Sequence, residues 1–144
     1  IDHAKPDISS PLPNSSLRLV GTALYWAEGS KKNRGVVQFC NSDPALIRIM
    51  MKFFLNICDI PSEKFRGHIH LHPHLNRLRA EQYWSKITSI PTRQFYKTSQ
   101  QHNRASQNKK DSLPHGTFSI YICNTILFLK MQGWREGLYY AIID

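Results

Sequence analysis

Several segments of the chain have the hydrophobic spacing of amphipathic helices. Near the start, apolar residues recur three or four positions apart: Leu17, Val20, Leu24 and Tyr25. Ser16 can cap the first turn of this helix, and Gly29 supplies a stop. Further along, Asp43 caps a second helix that has Pro44 in its first position. The apolar face of that helix is formed by Leu46, Ile47, Met50, Phe53, Phe54 and Ile57.

The rest of the pattern alternates short strands with two more helices. Strands are predicted at 36–40, 65–72, 95–99 and 117–123, and helices at 76–87 and about 125–132, where Gly133 follows. A polar stretch, 100–113, separates the last two strands and is either a solvated loop or a contact to flanking phosphates. This order predicts a layered α/β (α+β) fold with helices on one face of a sheet.

Two of the predicted strands have one apolar and one polar side. In 65–72, Ile69 and Leu71 point one way, and the alternate positions carry Arg66, His68, His70 and His72. In 117–123, Phe118, Ile120 and Ile122 oppose Thr117, Ser119 and Tyr121. The polar side suits a DNA major groove, where such side chains contact base edges or phosphates. A solvated sheet face has the same pattern, so that alternative stays open.

The chain is organised as one domain behind a short arm. Residues 1–15 contain Pro6, Pro11 and Pro13 among polar residues, which predicts a flexible arm or linker. The domain is expected to span 16–144. A chain of 144 residues with 41% apolar content can build one core of its own.

Composition favours an anionic partner. There are 19 Lys and Arg against 10 Asp and Glu, which gives a net charge of +9 and a pI of about 9.7. Such a balance is typical of proteins that bind nucleic acid, although a basic protein without that role has the same composition. No apolar run reaches the roughly 18 residues of a membrane span, so no membrane partner is expected.

The cysteines indicate a reducing environment. Cys40, Cys58 and Cys123 have no short paired spacing, and an odd number argues against a disulfide framework. We expect an intracellular location, in the cytoplasm, nucleoid or an organelle, with each cysteine acting as a small buried hydrophobic residue.

One carboxylate closes the first helix. Ala23 and Ala27 lie four residues apart, which lets a second helix approach closely, and Glu28 falls on the last turn. A carboxylate at a helix C-terminus faces the negative end of the helix dipole, which is unfavourable unless a cation lies nearby. The position therefore indicates a hard metal ion, and the alternative is an ordinary ion pair with Lys31 or Lys32.

The nonamer 21–29 resembles the signature helix of the LAGLIDADG homing endonucleases and aligns with it without a gap. Leu24, Ala27 and Gly29 match outright, Ala23 keeps the small helix-contact position, and Glu28 stands where that family has its metal-binding acid. Four residues depart from the commonest letters: Gly21, Thr22, Tyr25 and Trp26. The likeness continues through 41–44, 116–122 and 133–134 and covers most of 17–140.

This resemblance implies a mixed, mainly antiparallel, saddle-shaped sheet backed by helices, and a site-specific double-strand DNA endonuclease associated with introns or inteins. It implies a homodimer in which Glu28 meets its counterpart across a two-fold axis, with Mg²⁺ or another divalent cation bound by Glu28 and Gly29. Lys97 or Gln38 would organise the attacking water. The helix contact between subunits would use Gly21, Ala23, Leu24 and Ala27.

The expected contacts to double-stranded DNA come from the turn after the first helix and from the polar sides of the strands. They are Lys31, Lys32, Arg34, Gln38, Arg66, His68, His70, His72, Lys97, Ser119 and Tyr121. The two-residue spacing of the histidines from His68 to His74 also permits zinc chelation. Two other functions remain open: a catalytically inactive DNA-binding regulator with the same fold, and an RNA-binding maturase.

Overall fold

Four α-helices and a three-stranded antiparallel sheet occupy the described part of the computed structural model, residues 2–8, 10–100 and 113–144. The helices are α1 (Asn14–Glu28), α2 (Pro44–Asn56), α3 (Arg77–Thr88) and α4 (Thr125–Ile143), and the strands are β1 (Val36–Asn41), β2 (Phe65–His70) and β3 (Thr117–Cys123). This confirms the mixed helix and strand class. The phosphate contacts considered for the polar stretch 100–113 lie almost wholly outside the described residues.

The sheet has the order β1-β3-β2, so the last strand in sequence lies in the centre. Its apolar side packs against helices, as the alternation predicted: the Phe54 ring of α2 lies 6.5 Å from Phe65, and the Trp84 ring of α3 stacks at 5.2 Å on Phe118. Burying these large aromatic faces supplies much of the hydrophobic stabilisation of the domain. The opposite side of the sheet is therefore the side that can meet a ligand.

The segment 95–99 lies along the free edge of β2 without forming a full strand. It makes two isolated parallel bridges, Gly67 with Phe95 and His70 with Ser99. The predicted strand is therefore only partly correct. Parallel pairing puts this segment beside β2 and not beside β3, and the Phe95 ring packs 5.4 Å from Phe118 on the apolar side.

Helix α1 begins earlier than its sequence pattern indicated. Asn14 is the first helical residue and Pro13 occupies the capping position, so the prediction of Ser16 as the cap is wrong. The reason is that the fixed φ of proline suits the residue that leads into a helix, and the Pro13 carbonyl accepts from Leu17 N at 3.0 Å. The cap at Asp43 is confirmed, because its Oδ1 accepts from Ala45 N at 2.7 Å.

Helix α4 continues beyond the predicted stop at Gly133 and ends at Ile143. Gly133 is exposed, and a side chain there would meet nothing within 4 Å. A single exposed glycine costs a helix only about 1 kcal/mol, which the good helix formers around it can offset. The interpretation of Gly133 as a helix end is therefore wrong.

The three cysteines are free, but none is buried. Cys40 and Cys58 are half-buried and Cys123, at the end of β3, is exposed, so the expectation of three buried thiols is wrong. Burial raises the pKa of Cys58 to about 12, against an opposing effect of Lys130, and this thiol therefore stays protonated at neutral pH. In the described residues, no helix has the length and apolar character needed to cross a membrane.

Candidate nucleic-acid interface

The polar sheet face is the side of the sheet that carries the hydrophilic positions of the three strands. We define it by eight residues: Gln38, Cys40, Arg66, His68, His70, Thr117, Ser119 and Tyr121. The register sets Gln38, Tyr121 and Arg66 side by side in one row. Because none of the eight is acidic, the face offers N–H and O–H donors without a competing carboxylate, which suits an anionic ligand.

Arg66 is fixed at the edge of the polar sheet face by backbone carbonyls at and just before the start of its own strand. Its Nη1 donates to the carbonyl oxygens of Glu63 at 2.7 Å and Phe65 at 2.8 Å, and the residue is half-buried. A guanidinium has five N–H donors in a rigid fork, so these two contacts orient the group and leave donors that can bind a phosphate. Arg66 is thus a cation whose guanidinium has a fixed orientation.

His68 links β2 to the neighbouring segment 95–99. Its Nε2 lies 2.9 Å from Ser99 Oγ, and its ring centroid lies 4.4 Å from that of His70. Burial lowers the pKa of His68 and the adjacent His70 lowers it further, while a hydrogen bond to the backbone of Lys97 acts in the opposite direction. His68 is therefore an uncharged imidazole at neutral pH.

The centre of the polar sheet face is closed. Ser119 is fully buried, and its Oγ has no hydrogen-bond partner among the described residues. It is a short side chain on the central strand, and its cross-strand neighbours Cys40 and His68 are larger. We therefore correct the prediction that Ser119 contacts DNA, because neither a base nor a phosphate reaches a buried hydroxyl.

Tyr121 remains available beside that closed centre. Tyr121 is half-buried, and this burial is the main cause that raises the pKa of its phenol. Cys40 and Tyr96 raise the pKa further, while a hydrogen bond from Gln38 lowers it. The phenol therefore keeps its proton and can donate a hydrogen bond. Tyr96, whose ring lies 5.5 Å from Tyr121, extends this row beyond the three strands.

A basic turn joins α1 to β1 at one border of the polar sheet face. Lys31, Lys32 and Arg34 are all exposed. The turn is attached to the strand edge by a hydrogen bond from Ser30 N to the Gln38 carbonyl at 2.9 Å. The three cations are thus accessible next to β1, and their contact with DNA stays a prediction.

Glu28 lies at the last position of α1, immediately before a residue that touches the sheet. It is exposed, while the next residue, Gly29, is buried and bridges to Phe39 of β1. A side chain at Gly29 would collide with Tyr25, so the close approach of the helix end to the sheet requires glycine there. Among the described residues Glu28 forms no ion pair, and the alternative of a pair with Lys31 or Lys32 is not observed.

The two candidate partners of Glu28 lie at opposite edges of the sheet. Gln38 is on β1, next to Phe39, which bridges to Gly29. Lys97 lies in the segment beyond β2, on the far side of both β3 and β2. Strands are spaced by about 4.8 Å, so Lys97 is roughly 14 Å from Gln38 across the sheet. Within one subunit the structure brings Gln38, and not Lys97, towards Glu28.

The small residues of α1 fall into two groups. Ala23 and Ala27 are exposed, and Leu24 is partly buried against the core. Gly21 is buried, and a side chain there would collide with the Phe53 ring of α2. Gly21 therefore serves a contact inside the subunit, while Ala23 and Ala27 remain on an outer face that a second helix can approach.

No ready-made metal centre appears in the described residues. There, no group of three or more His, Cys, Asp or Glu side chains is arranged to hold an ion. His72 and His74 have ring centroids 6.0 Å apart, and the described residues place no third His, Cys, Asp or Glu ligand with this pair or with the pair of His68 and His70. Zinc chelation by the histidine run stays a prediction, and Glu28 offers a single carboxylate per subunit.

Two further neighbours of the polar sheet face lie in the segment 95–99. Tyr96 and Ser99 complete the polar sheet face by contacting Tyr121 and His68. Their segment was predicted as a strand, but only the parallel pairing with β2 puts them beside the histidines. No local pattern shows which strand a lone segment joins.

No family model, curated protein or solved structure matches this chain in the comparisons with known proteins.

Proposed function

We propose that the protein is a site-specific, double-strand DNA endonuclease of the LAGLIDADG type that works as a homodimer with Mg²⁺ or another divalent cation. Each subunit would contribute Glu28 to a paired site at the two-fold axis, and the polar sheet face and the basic turn would hold the DNA. The proposal rests on the resemblance of the segment 21–29 to the family's signature helix, and the geometry below supports it.

The observation that carries the proposal is the position of Glu28. It is an exposed acid at a helix end that touches the sheet edge, on the border of a surface rich in donors and free of acids. An unpaired carboxylate at the negative end of a helix dipole is unfavourable by itself, and a cation would relieve that cost. The nearby cations of the basic turn would hold the phosphate backbone at the same border.

The residues of one subunit supply only part of the ligands that a metal site needs. Carboxylate, carbonyl and water oxygens suit Mg²⁺, and Glu28 with the Gly29 backbone provides the first two kinds. A bound divalent ion would polarise the scissile phosphate and lower the pKa of a water molecule. Because one subunit supplies one carboxylate, the second must come from another copy of the chain. The exposed Ala23 and Ala27 face is where that copy would pack.

A second candidate is a nucleic-acid-binding module without catalytic activity, either a DNA-binding regulator or an RNA-binding maturase. The specific observation in its favour is that Lys97 lies at the opposite edge of the sheet from Glu28. Without Lys97 near Glu28, a subunit can keep the basic face and lose the reaction. Both candidate functions require the same polar sheet face, and they differ in whether Glu28 takes part in a cleavage reaction.

Cleavage of a randomised duplex library in Mg²⁺ separates the two candidates. The wild-type protein should cut a subset of sequences, and Glu28→Gln should bind the same library without cutting, because the amide keeps the shape and removes the charge. Glu136→Gln is the matched control, since Glu136 is an exposed acid on α4 that borders Trp26 of the motif but does not belong to it. It should cut like wild type.

Binding without cutting by all three proteins would support the inactive module. Equal cutting by wild type and Glu28→Gln would remove Glu28 from the reaction, and the endonuclease proposal in its present form would fail. Parallel reactions that contain a double-stranded RNA competitor show whether the surface binds the A-form RNA helix more tightly than DNA.

A further inference from the structure

A cavity of about 350 Å³ opens at the end of the polar sheet face, where β2 and β3 finish pairing. The described residues that line it are His70, Leu71, His72, Ser99, Leu113, Gly116 and Thr117. His70 and Thr117 are directly paired in the register, so the cavity continues the polar sheet face. Its volume lies in the range of pockets that take small ligands.

The walls of this cavity are held by backbone contacts. Leu71 N donates to the Ser99 carbonyl at 2.8 Å, and Ser99 N donates to Ile69 at 2.9 Å. On the opposite side a turn closes with a hydrogen bond from Gly116 N to Leu113 O at 3.1 Å. Gly116 has a φ of +67°, and a side chain there would collide with the His70 carbonyl. The cavity is thus shaped by a turn that only glycine permits.

The lining combines flat rings, hydroxyl groups and an aliphatic side chain. The imidazoles of His70 and His72 offer surfaces on which a planar ring can stack, and Leu113 adds an apolar contact. Ser99 and Thr117 carry hydroxyl groups that donate or accept hydrogen bonds. None of the seven described residues that line the cavity is acidic, so none of them would repel an adjacent phosphate.

We propose that this cavity holds a single unpaired base of a bound nucleic acid, stacked on the imidazoles and hydrogen-bonded to the hydroxyl groups. The proposal rests on the nucleic-acid-binding role of the polar sheet face, and it adds a preference for unpaired nucleotides. Strand spacing and rise place the cavity roughly 17 Å from the end of α1. Its occupation is therefore separate from any reaction at Glu28.

The test compares three fluorescent DNA duplexes of identical sequence by anisotropy. One is fully paired, one has a single extra adenosine on one strand, and one has an abasic nucleotide in place of that adenosine. The extra adenosine should tighten binding about tenfold over the other two duplexes, because stacking of one base on a protein ring has an effect of this size. The abasic duplex controls for the added flexibility of a bulge.

Two variants assign the preference to the cavity. His72→Ala removes a stacking surface and Thr117→Val removes a hydroxyl while keeping the shape, so each should reduce the preference for the adenosine bulge severalfold. His74→Ala is the matched control, because it removes the next histidine, which does not line the cavity. It should keep the full preference.

Equal binding of the adenosine and abasic bulges by wild type would overturn the proposal, and so would a preference that survives both cavity variants. If the paired duplex binds and the bulge makes no difference, only the cavity proposal fails. If no duplex binds at low salt, the proposed function fails with it.

Discussion

Arg66 and His68 lie in neighbouring rows of the polar sheet face and respond to different solution variables. Arg66 is charged at every accessible pH, so its contribution to binding an anion depends on salt. His68 is uncharged at neutral pH because of its burial and of the adjacent His70, so its contribution depends on pH. The two residues therefore allow the face to be tested by two independent measurements.

The Arg66→Ala variant should bind DNA about tenfold more weakly than wild type, and its salt dependence should be less steep by about one unit, because one phosphate contact is lost. The measurement is the slope of log K against log salt for a fixed duplex. Arg79→Ala provides the control, since Arg79 is exposed on the first turn of α3 and belongs to the helical layer. An unchanged slope for Arg66→Ala would remove this residue from the interface.

The lowered pKa of His68 makes the folded protein sensitive to acid. Because the folded-state pKa lies below the ordinary value of 6.5, the unfolded chain binds the proton more readily. The contribution of His68 to stability is therefore fully present above pH 6.5 and is lost as the pH falls through the folded-state value. The free energy of unfolding, measured in urea from pH 7.5 to 5, should decrease less steeply for His68→Gln than for wild type. Parallel curves would show that His68 titrates alike in both states.

At the level of elements, two helical glycines have opposite surroundings. Gly21 of α1 lies directly against the Phe53 ring of α2, where no side chain fits. Gly133 of α4 is exposed, and a side chain there would meet nothing within 4 Å. The first glycine sets how closely two helices pack, and the second only adds flexibility to the unfolded chain.

The same substitution should therefore have opposite effects at these two positions. Gly21→Ala should lower the free energy of unfolding by about 1–3 kcal/mol, because the new methyl group displaces Phe53 from a packed core. Gly133→Ala should raise it by up to about 1 kcal/mol through better helix propensity. Urea unfolding followed by circular dichroism measures both. A neutral Gly21→Ala would mean that α1 and α2 are less tightly packed than the structure indicates.

The elements that sequence reasoning located well are those with a strong local signal. Helix α2 has both a capping aspartate and a wide apolar face, and β3 has strict alternation, so their bounds are close to the prediction. The ends of α1 and α4 were misplaced, because Pro13 leads into α1 without a capping side chain, and because the helix around Gly133 offsets the cost of that glycine. The sequence patterns thus predicted which elements form more reliably than they predicted the residues at which those elements begin and end.

The candidate site was less predictable because it depends on which strands are neighbours. Alternation placed Ser119 on the polar side, but its burial follows from its central position between Cys40 and His68, which no single strand displays. In the same way, Lys97 was expected near Glu28 and lies beyond β2 instead. Sheet order is a long-range property, and sequence spacing does not reveal it.

At the level of the whole molecule, the paired arrangement of two acids requires a second copy of the chain. One face of α1 is free for this contact, since Ala23 and Ala27 are exposed while Gly21 and Tyr25 on the other side are buried. A net charge of +9 opposes association of two copies in low salt, and a bound polyanion would neutralise it. Dimerisation is therefore expected to be stronger with DNA present.

Replacing a small residue on that face tests the paired arrangement directly. Ala27→Glu should abolish the dimer without unfolding the subunit, because two like charges would face each other where the helices touch. Sedimentation with and without a DNA duplex should show a dimer for wild type and a monomer for the variant, and the variant should lose cleavage while circular dichroism stays unchanged. Ala45→Glu on α2 is the matched control, as it adds the same charge at another exposed alanine. A wild-type protein that cuts DNA as a monomer would contradict the pairing of Glu28 across a two-fold axis.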